Sequence, residues 1–179
     1  MALRRRTWVW LVAGVLVVLA AVTLVWFQPQ KLFYDNRVDE ALPSVAAQTG
    51  TEPSGSATAP PTGPVEVAAG TFVSREHETH GTARVLRLPD GRLIVRFENF
   101  STSNGPVLVV WLSKNPAHGE DAAFPRHYVD LGPLKGNIGD QNYDIPAGVD
   151  PTGYTSVVVW CDRFDVSFGA ADLAPARAP

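Results

Sequence analysis

Cys161 is the only cysteine of the 179-residue chain, and it ends the apolar run in the segment VVVWCDRFDVSFGAADL, Val157 to Leu173. A lone cysteine forms no disulfide within its own chain. Its thiol could carry redox chemistry or bind a metal, which requires an accessible thiolate. It could also pack as a small apolar side chain in a strand, or pair with a thiol of another molecule. The residues leave these three interpretations open.

The four histidines, His77, His80, His118 and His127, are the other candidate ligands. His77 and His80 form H-E-T-H, whereas zinc proteases use H-E-x-x-H on a helix. A blue-copper site needs two His, one Cys and often an axial Met, but the only Met is Met1 and no short loop holds both Cys and His. Haem and copper are compatible with these residue types, yet no ligand motif predicts either, and the metal stays unassigned.

Hydrolytic chemistry has no recognisable motif in this chain. A G-x-S-x-G elbow is absent, and the one cysteine lies in a predicted strand rather than on an exposed turn. The glycine-rich segment LGPLKGNIGDQNY reads as a tight loop, because the spacing and the Lys-Ser/Thr of a phosphate loop are missing. Its Asp140, Gln141 and Asn142 offer polar groups to a partner. The sequence therefore predicts no classical hydrolase.

The N-terminal residues predict a membrane anchor. Arg4, Arg5 and Arg6 precede residues 7–27, which contain no charge and are long enough to cross a bilayer as a helix. Basic residues before a span favour a cytoplasmic N-terminus. We expect a basic tail at 1–6, a helix in the lipid bilayer at 7–27, and an extracytoplasmic remainder. A cleaved signal peptide is the alternative, although its apolar region is usually shorter.

Charge and composition divide the rest of the chain. All 18 acidic residues lie after the apolar span, so that part of the chain is acidic and is not expected to bind nucleic acid. Residues 28–66 are predicted to be a juxtamembrane segment, with one helical turn in VDEAL, followed by a flexible tether over Pro43 to Glu66 that is rich in Pro, Gly and Ser. Residues 67–174 form the predicted domain, and 175–179 form a tail.

The domain is predicted to be all-β, an antiparallel sandwich or barrel of about seven or eight strands. Thr82 to Leu88 and Arg92 to Phe100 flank Pro89-Asp90-Gly91 and predict a hairpin. Pro106 to Ser113 and Tyr154 to Cys161 are apolar on both alternating faces, which is typical of central strands covered on both sides. Shorter strands are predicted at Gly70 to Ser74, His127 to Leu131, Asn142 to Ile145 and Phe164 to Phe168.

Four blocks of the domain resemble the DM-thirteen domain, the Skeletor-type module labelled "electron transfer". They are GTF at Gly70 with His80-Gly81; Asn99-Phe100 with GPVLVVWLS; LGPLKGNIGDQNYDIP; and YTSVVVWCDRFDVSFGAADL. The resemblance covers Gly70 to Leu173 and implies a small β module with a signature cysteine and a redox role. Val107 stands where the family often has an acidic residue. The Ala, Val, Pro and Arg content and the anchor indicate a membrane-anchored member of bacterial type.

The resemblance makes Cys161 and His80 the candidate redox or ligand residues. Trp160, Tyr143, Gln141 and Asp162 are expected nearby in supporting roles. The predicted function is that of a membrane-tethered module of the cell envelope, associated with electron transfer and with an envelope protein or redox partner. The alternative is a non-enzymatic binding or scaffold domain at the cell surface, with a protein or a glycan as partner.

Overall fold

Two strands that the sequence predicts to be covered on both faces are neighbours within the sheet. Leu108–Ser113 and Ser156–Cys161 are buried at every position and pair with each other antiparallel. Val and Trp fill both of their faces, and such strands are stable only between two apolar layers.

The structure, a computed structural model, describes residues 2–28, 34–43 and 63–176. The only long helix in these ranges, α1, spans Ala2–Phe27. Nine strands are described there: β1 Val65–Ser74, β2 His80–Arg87, β3 Leu93–Ser101, β4 Leu108–Ser113, β5 Tyr128–Pro133, β6 Ile138–Asp144, β7 Ser156–Cys161, β8 Val166–Asp172 and β9 Ala174–Pro175. Short 3-10 helices span Asp121–Arg126 and Pro151–Gly153.

Eight strands form one antiparallel sheet in the order β5-β4-β7-β8-β1-β2-β3-β6. The two outermost strands, β5 and β6, are consecutive in the chain, so the sheet bends round until it is nearly closed. β1 links the two halves because Val65 to Thr71 pair with β2, while Phe72 to Ser74 pair with β8. The predicted antiparallel β fold is confirmed, and its form is a nearly closed barrel.

Apolar side chains pack against the sheet in two main layers. The barrel interior contains Phe72, Val95, Phe97, Val159 and Phe168. A second layer lies outside β4, β7 and β8, where Phe124 of the 3-10 helix packs with Trp111 and Trp160. This outer layer explains why β4 and β7 are apolar on both faces.

Several predicted boundaries differ from the structure. β1 begins at Val65, two residues before the predicted domain start, and β6 begins at Ile138 rather than Asn142. β8 begins at Val166 rather than Phe164. Residues 38–42, predicted as a helical turn, are not helical. Residues 44–62 of the tether and 177–179 of the tail lie outside the described residues.

Within the described residues, one helix is long and apolar enough to cross a membrane. Its apolar stretch runs from Trp8 to Trp26, and none of it is buried in the structure. A signal sequence near an N-terminus has the same length and composition, so α1 is either an anchor or a signal sequence.

Candidate functional site

Cys161 lies at one end of the barrel. β7 ends there, and its register places Cys161 opposite Leu108, where β4 begins, and Val166, where β8 begins. The start of β2, the end of β3 and the start of β6 meet at the same end, as the pairs His80 with Ser101 and Ser101 with Ile138 show. We call this the Cys161 end.

The thiol itself is fully buried. Cys161 has no exposed surface, and it packs in the barrel interior with Leu108 and Phe168. Its Sγ donates a hydrogen bond to the carbonyl oxygen of Pro106 at 3.2 Å. In this conformation the sulfur is inaccessible to a reagent or a partner.

The loop of residues 102–107, which we call the covering loop, joins β3 to β4, and its Pro106 carbonyl accepts the hydrogen bond of the thiol. Val107 comes directly after Pro106 and is 42% exposed. Its φ is 53°, in the left-handed region that β-branched residues avoid. The carbonyl oxygen of Val107 accepts a hydrogen bond from the backbone N–H of Asp162 at 3.1 Å, so the loop is fastened to the turn after Cys161.

The predicted second ligand, His80, is at the same end but faces solvent. Its Nε2 lies 3.0 Å from Oε1 of Glu78, and the two side chains are 64% and 82% exposed. His77, by contrast, stacks on Phe168 with 3.8 Å between the ring centroids. Phe168 belongs to the same core as Cys161. An exposed His80 and a buried Cys161 do not form a common ligand set in this conformation.

The residues do not fit the cofactors that their types allow. No group of three or more His, Cys, Asp and Glu residues suited to a metal ion occurs in the described ranges. A blue-copper centre needs two His and a Cys on one ion, and a haem thiolate needs an open face at the sulfur, where Cys161 has the Pro106 carbonyl instead. The described residues therefore fit neither a haem site nor a copper site.

Trp160 and Asp162, the neighbours of Cys161, have different surroundings from the thiol. The Trp160 side chain lies in the outer layer and stacks on Trp111, with 4.9 Å between centroids, and Trp111 stacks on Tyr128 at 4.0 Å. The carboxyl group of Asp162 is partly desolvated and lies near other acidic groups, chiefly Asp130, which raises its pKa above the ordinary value.

Gln141 and Tyr143 fasten the loop between β5 and β6. Gln141 bonds both the N–H and the carbonyl of Gly136, at 3.1 and 2.8 Å. The Tyr143 hydroxyl donates to Oε1 of Gln141 at 2.6 Å and accepts from the backbone N–H of Lys135 at 3.1 Å. Burial raises the pKa of Tyr143 far above its ordinary value, although the Lys135 N–H opposes this shift. Gln141 and Tyr143 are the Q and Y of the Q-x-Y pattern in the sequence block, and both residues hold this loop in place.

Residues 34–43, placed by the sequence in the juxtamembrane segment, lie along the free edge of β6. Val38 donates from its backbone N–H to Ile138 at 2.9 Å, and Glu40 donates to Asp140 at 2.8 Å. Arg37 pairs with Ile138 in parallel orientation. We call residues 34–43 the edge segment, and it extends the barrel by one further row of backbone hydrogen bonds.

Side chains fix the register of the edge segment. Glu40 accepts from Nζ of Lys135 at 2.8 and 2.9 Å and from the backbone N–H of Asn142 at 2.7 Å. Arg96, only 6% exposed, donates to the Glu40 carbonyl at 3.0 Å and pairs with Asp140 and Glu98. Arg96 lies between Val95 and Phe97 of the barrel interior and therefore on the outer face of β3, where the edge segment covers it.

Two adjoining cavities open at the Cys161 end. One, of about 290 Å³, is lined by Asn104, Val107, Leu134 and Asn137, and the other, of about 370 Å³, by Glu78, His80 and Ser101. Tyr34 and Asp35 of the edge segment line both. The Asn137 side-chain oxygen accepts a hydrogen bond from the backbone N–H of Asn36, and its amide nitrogen donates to Asp35, so part of the polar lining is already paired.

The comparison with known families concerns the region that contains the barrel strands and Cys161. A family model described as Electron transfer DM13 matches residues 71–173, more than half of the chain. The chain belongs to this family. The DM13 match begins in β1 and ends after β8, so it covers the barrel and Cys161 but neither α1 nor the edge segment. No curated protein and no solved structure matches.

Three parts of the DM13 domain's Cys161 end were not predicted from the sequence. Pro106 and Val107 were read as the start of a strand, and the edge segment as a juxtamembrane element. His77 is a candidate ligand in the sequence, and its stacking on Phe168 was not predicted. The Gly-Pro pair before β4 was the available signal for the covering loop, since a strand seldom begins with Gly-Pro. Nothing local in residues 34–43 signals pairing with a strand 100 residues later.

Proposed function

We propose that this chain is a membrane-tethered domain, facing away from the cytoplasm, that takes part in electron transfer through Cys161. The family description supports the electron-transfer association. The three arginines before the uncharged span support the tether and its orientation. The cysteine role is our own step, and its support is the placement of the thiol at a strand end beneath one loop.

The observation that carries the proposal is the hydrogen bond from Cys161 Sγ to Pro106. It attaches the thiol to a loop whose next residue, Val107, is exposed and has a strained φ. Opening of residues 102–107 would release the thiol without unfolding the barrel strands. Openings of this local kind cost less free energy than global unfolding.

The chemistry that one thiol carries without a cofactor is exchange with a disulfide of the partner. The Cys161 thiol loses its proton to solvent, and the thiolate attacks one sulfur of that disulfide. A mixed disulfide forms, and the second sulfur of the partner leaves as a thiolate. Electrons balance within the exchange, so no further oxidant is required. The partner is a redox protein of the same compartment.

The decisive experiment measures the alkylation rate of Cys161 in the full chain at denaturant concentrations below the unfolding transition. Local opening exposes little surface, so we expect a rate that depends weakly on denaturant. The matched control is Ala83→Cys in a Cys161→Ala background, because Ala83 is also fully buried but lies within β2. Its rate should track global unfolding.

If Cys161 alkylates only with global unfolding, as the control does, the proposed redox role of the thiol is wrong. The orientation is tested separately, by adding protease to intact spheroplasts. We expect removal of the barrel and retention of a fragment containing α1. Protection of residues 63–176 would contradict the extracytoplasmic placement, and a mature N-terminus beyond residue 27 would show a cleaved signal instead of an anchor.

A second candidate is a non-enzymatic binding or scaffold module for a protein or a glycan. The observation that favours it is the pair of polar cavities at the Cys161 end, lined by Asn104, His80 and Tyr34. Binding of this kind should survive Cys161→Ala and be weakened by Asn104→Ala. Under the redox proposal, Cys161→Ala should abolish the activity and Asn104→Ala should have the smaller effect.

A further inference from the structure

Exposed apolar side chains cluster at the Cys161 end. Val107 is 42% exposed, Phe164 in the turn between β7 and β8 is 49% exposed, and Tyr34 of the edge segment is 52% exposed. The backbone bond from Asp162 to Val107 joins the turn that contains Phe164 to the loop that contains Val107. Asn104 of the covering loop donates to the carbonyl of Tyr34 at 3.2 Å, which places the third at the same end.

The chain connects this end of the barrel directly to α1. The helix ends at Phe27, and the edge segment begins at Tyr34. Six residue steps separate Gln28 from Tyr34, so the gap is at most about 20 Å. Residues 44–62 come after the edge segment, and their length therefore adds nothing to the distance between α1 and the docked barrel.

A second contact joins the same two parts. The guanidinium Cζ of Arg163 lies 4.4 Å from the centroid of the Trp26 ring, a cation-π distance. Arg163 is in the turn beside Phe164, and Trp26 is in the last turn of α1. Tryptophan at the end of a spanning helix lies at the level of the lipid headgroups.

We propose that the Cys161 end of the barrel rests on the surface of the bilayer that α1 spans, with Val107, Phe164 and Tyr34 at headgroup level. This inference rests on the proposed function, because it requires α1 to be a retained anchor. The opposite end of the barrel, with the loop after β6, points away from the membrane. A partner of Cys161 then approaches along the bilayer surface.

The charged residues at the Cys161 end determine which lipid headgroups this end can contact. Glu78, Asp162 and Asp165 lie near the exposed apolar groups, and all three are exposed. Carboxylates are repelled by anionic headgroups, whereas aromatic and aliphatic side chains insert at any headgroup boundary. The contact is therefore apolar, and zwitterionic phosphatidylcholine is the appropriate test surface.

The experiment uses the full chain in phosphatidylcholine vesicles that contain a headgroup-labelled nitroxide lipid. Phe164→Cys carries a fluorophore at the Cys161 end, and Ala147→Cys carries the same fluorophore in the exposed loop after β6. Wild-type chain, whose cysteine is buried, serves as the labelling blank. If the blank takes up label, both variants are made with Cys161→Ala.

We expect quenching of the residue 164 label to be several-fold stronger than quenching of the residue 147 label. Ser103→Cys, in the covering loop, gives a second position at the same end if Phe164→Cys does not fold. Equal quenching at the two ends, in chain that floats with the vesicles, overturns the orientation and leaves the anchor intact. Chain that does not float with the vesicles overturns the anchor and this inference together.

Discussion

Gly139 lies so close to the carbonyl of Val38 that a side chain at position 139 would overlap the oxygen. Gly136 has the same relationship with the carbonyl of Asn36. These glycines belong to the family-like block LKGNIG, while Val38 and Asn36 belong to the edge segment, which lies outside the family match. The lack of a Cβ at Gly136, just before β6, and at Gly139, within β6, thus leaves room for the close approach of Asn36 and Val38.

Substitution of Gly136 by Ala should release the edge segment from β6. The added methyl group would overlap backbone atoms of Asn36, which cannot move aside without breaking the neighbouring hydrogen bonds. We expect exchange protection to fall at the N–H groups of Val38 and Glu40 while the barrel strands stay protected. Hydrogen exchange with residue resolution measures both.

Gly139→Ala should release the edge segment in the same way, and Gly132→Ala is its matched control. Gly139 and Gly132 have φ values of 105° and 102°, so Ala is equally strained at both, but no atom lies within 4 Å of a Cβ added at Gly132. A similar loss of Val38 protection in Gly132→Ala would mean that strain, and not overlap, releases the segment.

Acid should weaken the docking of the edge segment through Glu40. Burial alone would raise the pKa of Glu40, but its hydrogen bonds from Lys135 and Asn142 and the charges of Lys135 and Arg96 lower it below the ordinary 4.5. A lowered carboxylate pKa adds stability above the unfolded pKa, and that stability is lost as the pH falls through the folded value. The difference in unfolding free energy between wild type and Glu40→Gln should therefore be present at pH 7 and shrink below pH 4.5.

Denaturant unfolding across this pH range measures that difference. Glu76→Gln is the control, because the Glu76 side chain is exposed and has no ion pair within the described ranges. Its effect should be small at every pH. A Glu40→Gln effect that stays constant from pH 7 to pH 3 would exclude the carboxylate as the cause.

The sequence was sufficient for the β architecture because its signals are local. The strands of the hairpin at Asp90-Gly91 show alternating apolar residues, and the runs that form β4 and β7 are apolar on both faces; both signals extend over only a few residues. The pairing of the edge segment with β6 depends on the glycines of a distant loop. The residues at 34–43 show no periodicity that would predict this contact. The sequence therefore assigns the segment to the juxtamembrane region and not to the domain.

The site was predicted less completely for a similar reason. The family-like blocks located Cys161, and its burial agrees with one of the three interpretations left open. They did not show that Gln141 and Tyr143 hold the loop before β6, or that Trp160 stacks on Trp111 in the layer outside the barrel. Face and partner depend on strand register, which a single sequence does not specify where both faces are apolar.

Removal of the thiol should destabilise the barrel. Cys161→Ala deletes a buried sulfur and leaves the Pro106 carbonyl without its donor, so we expect a loss of about 1–3 kcal/mol in unfolding free energy. Cys161→Ser should lose less, because its hydroxyl can donate to the same carbonyl. Equilibrium denaturation of the three proteins measures this order. Equal stability of all three would show that the thiol does not contribute to packing.

Replacement of Val107 by Gly should make the covering loop less strained and Cys161 harder to reach. A β-branched residue at a φ of 53° costs on the order of 1–3 kcal/mol, and Gly adopts this conformation freely. The Val107 side chain is 42% exposed, so its replacement removes only part of the apolar contact that a buried valine would make. We expect Val107→Gly to slow native-state alkylation of Cys161 at constant pH. Val107→Ala lacks the β-branch but keeps a Cβ at positive φ, so it keeps part of the strain and should alkylate at a rate between those of wild type and Val107→Gly. If Val107→Gly instead alkylates faster than Val107→Ala, glycine has loosened the loop, and strain at Val107 is not what favours its opening.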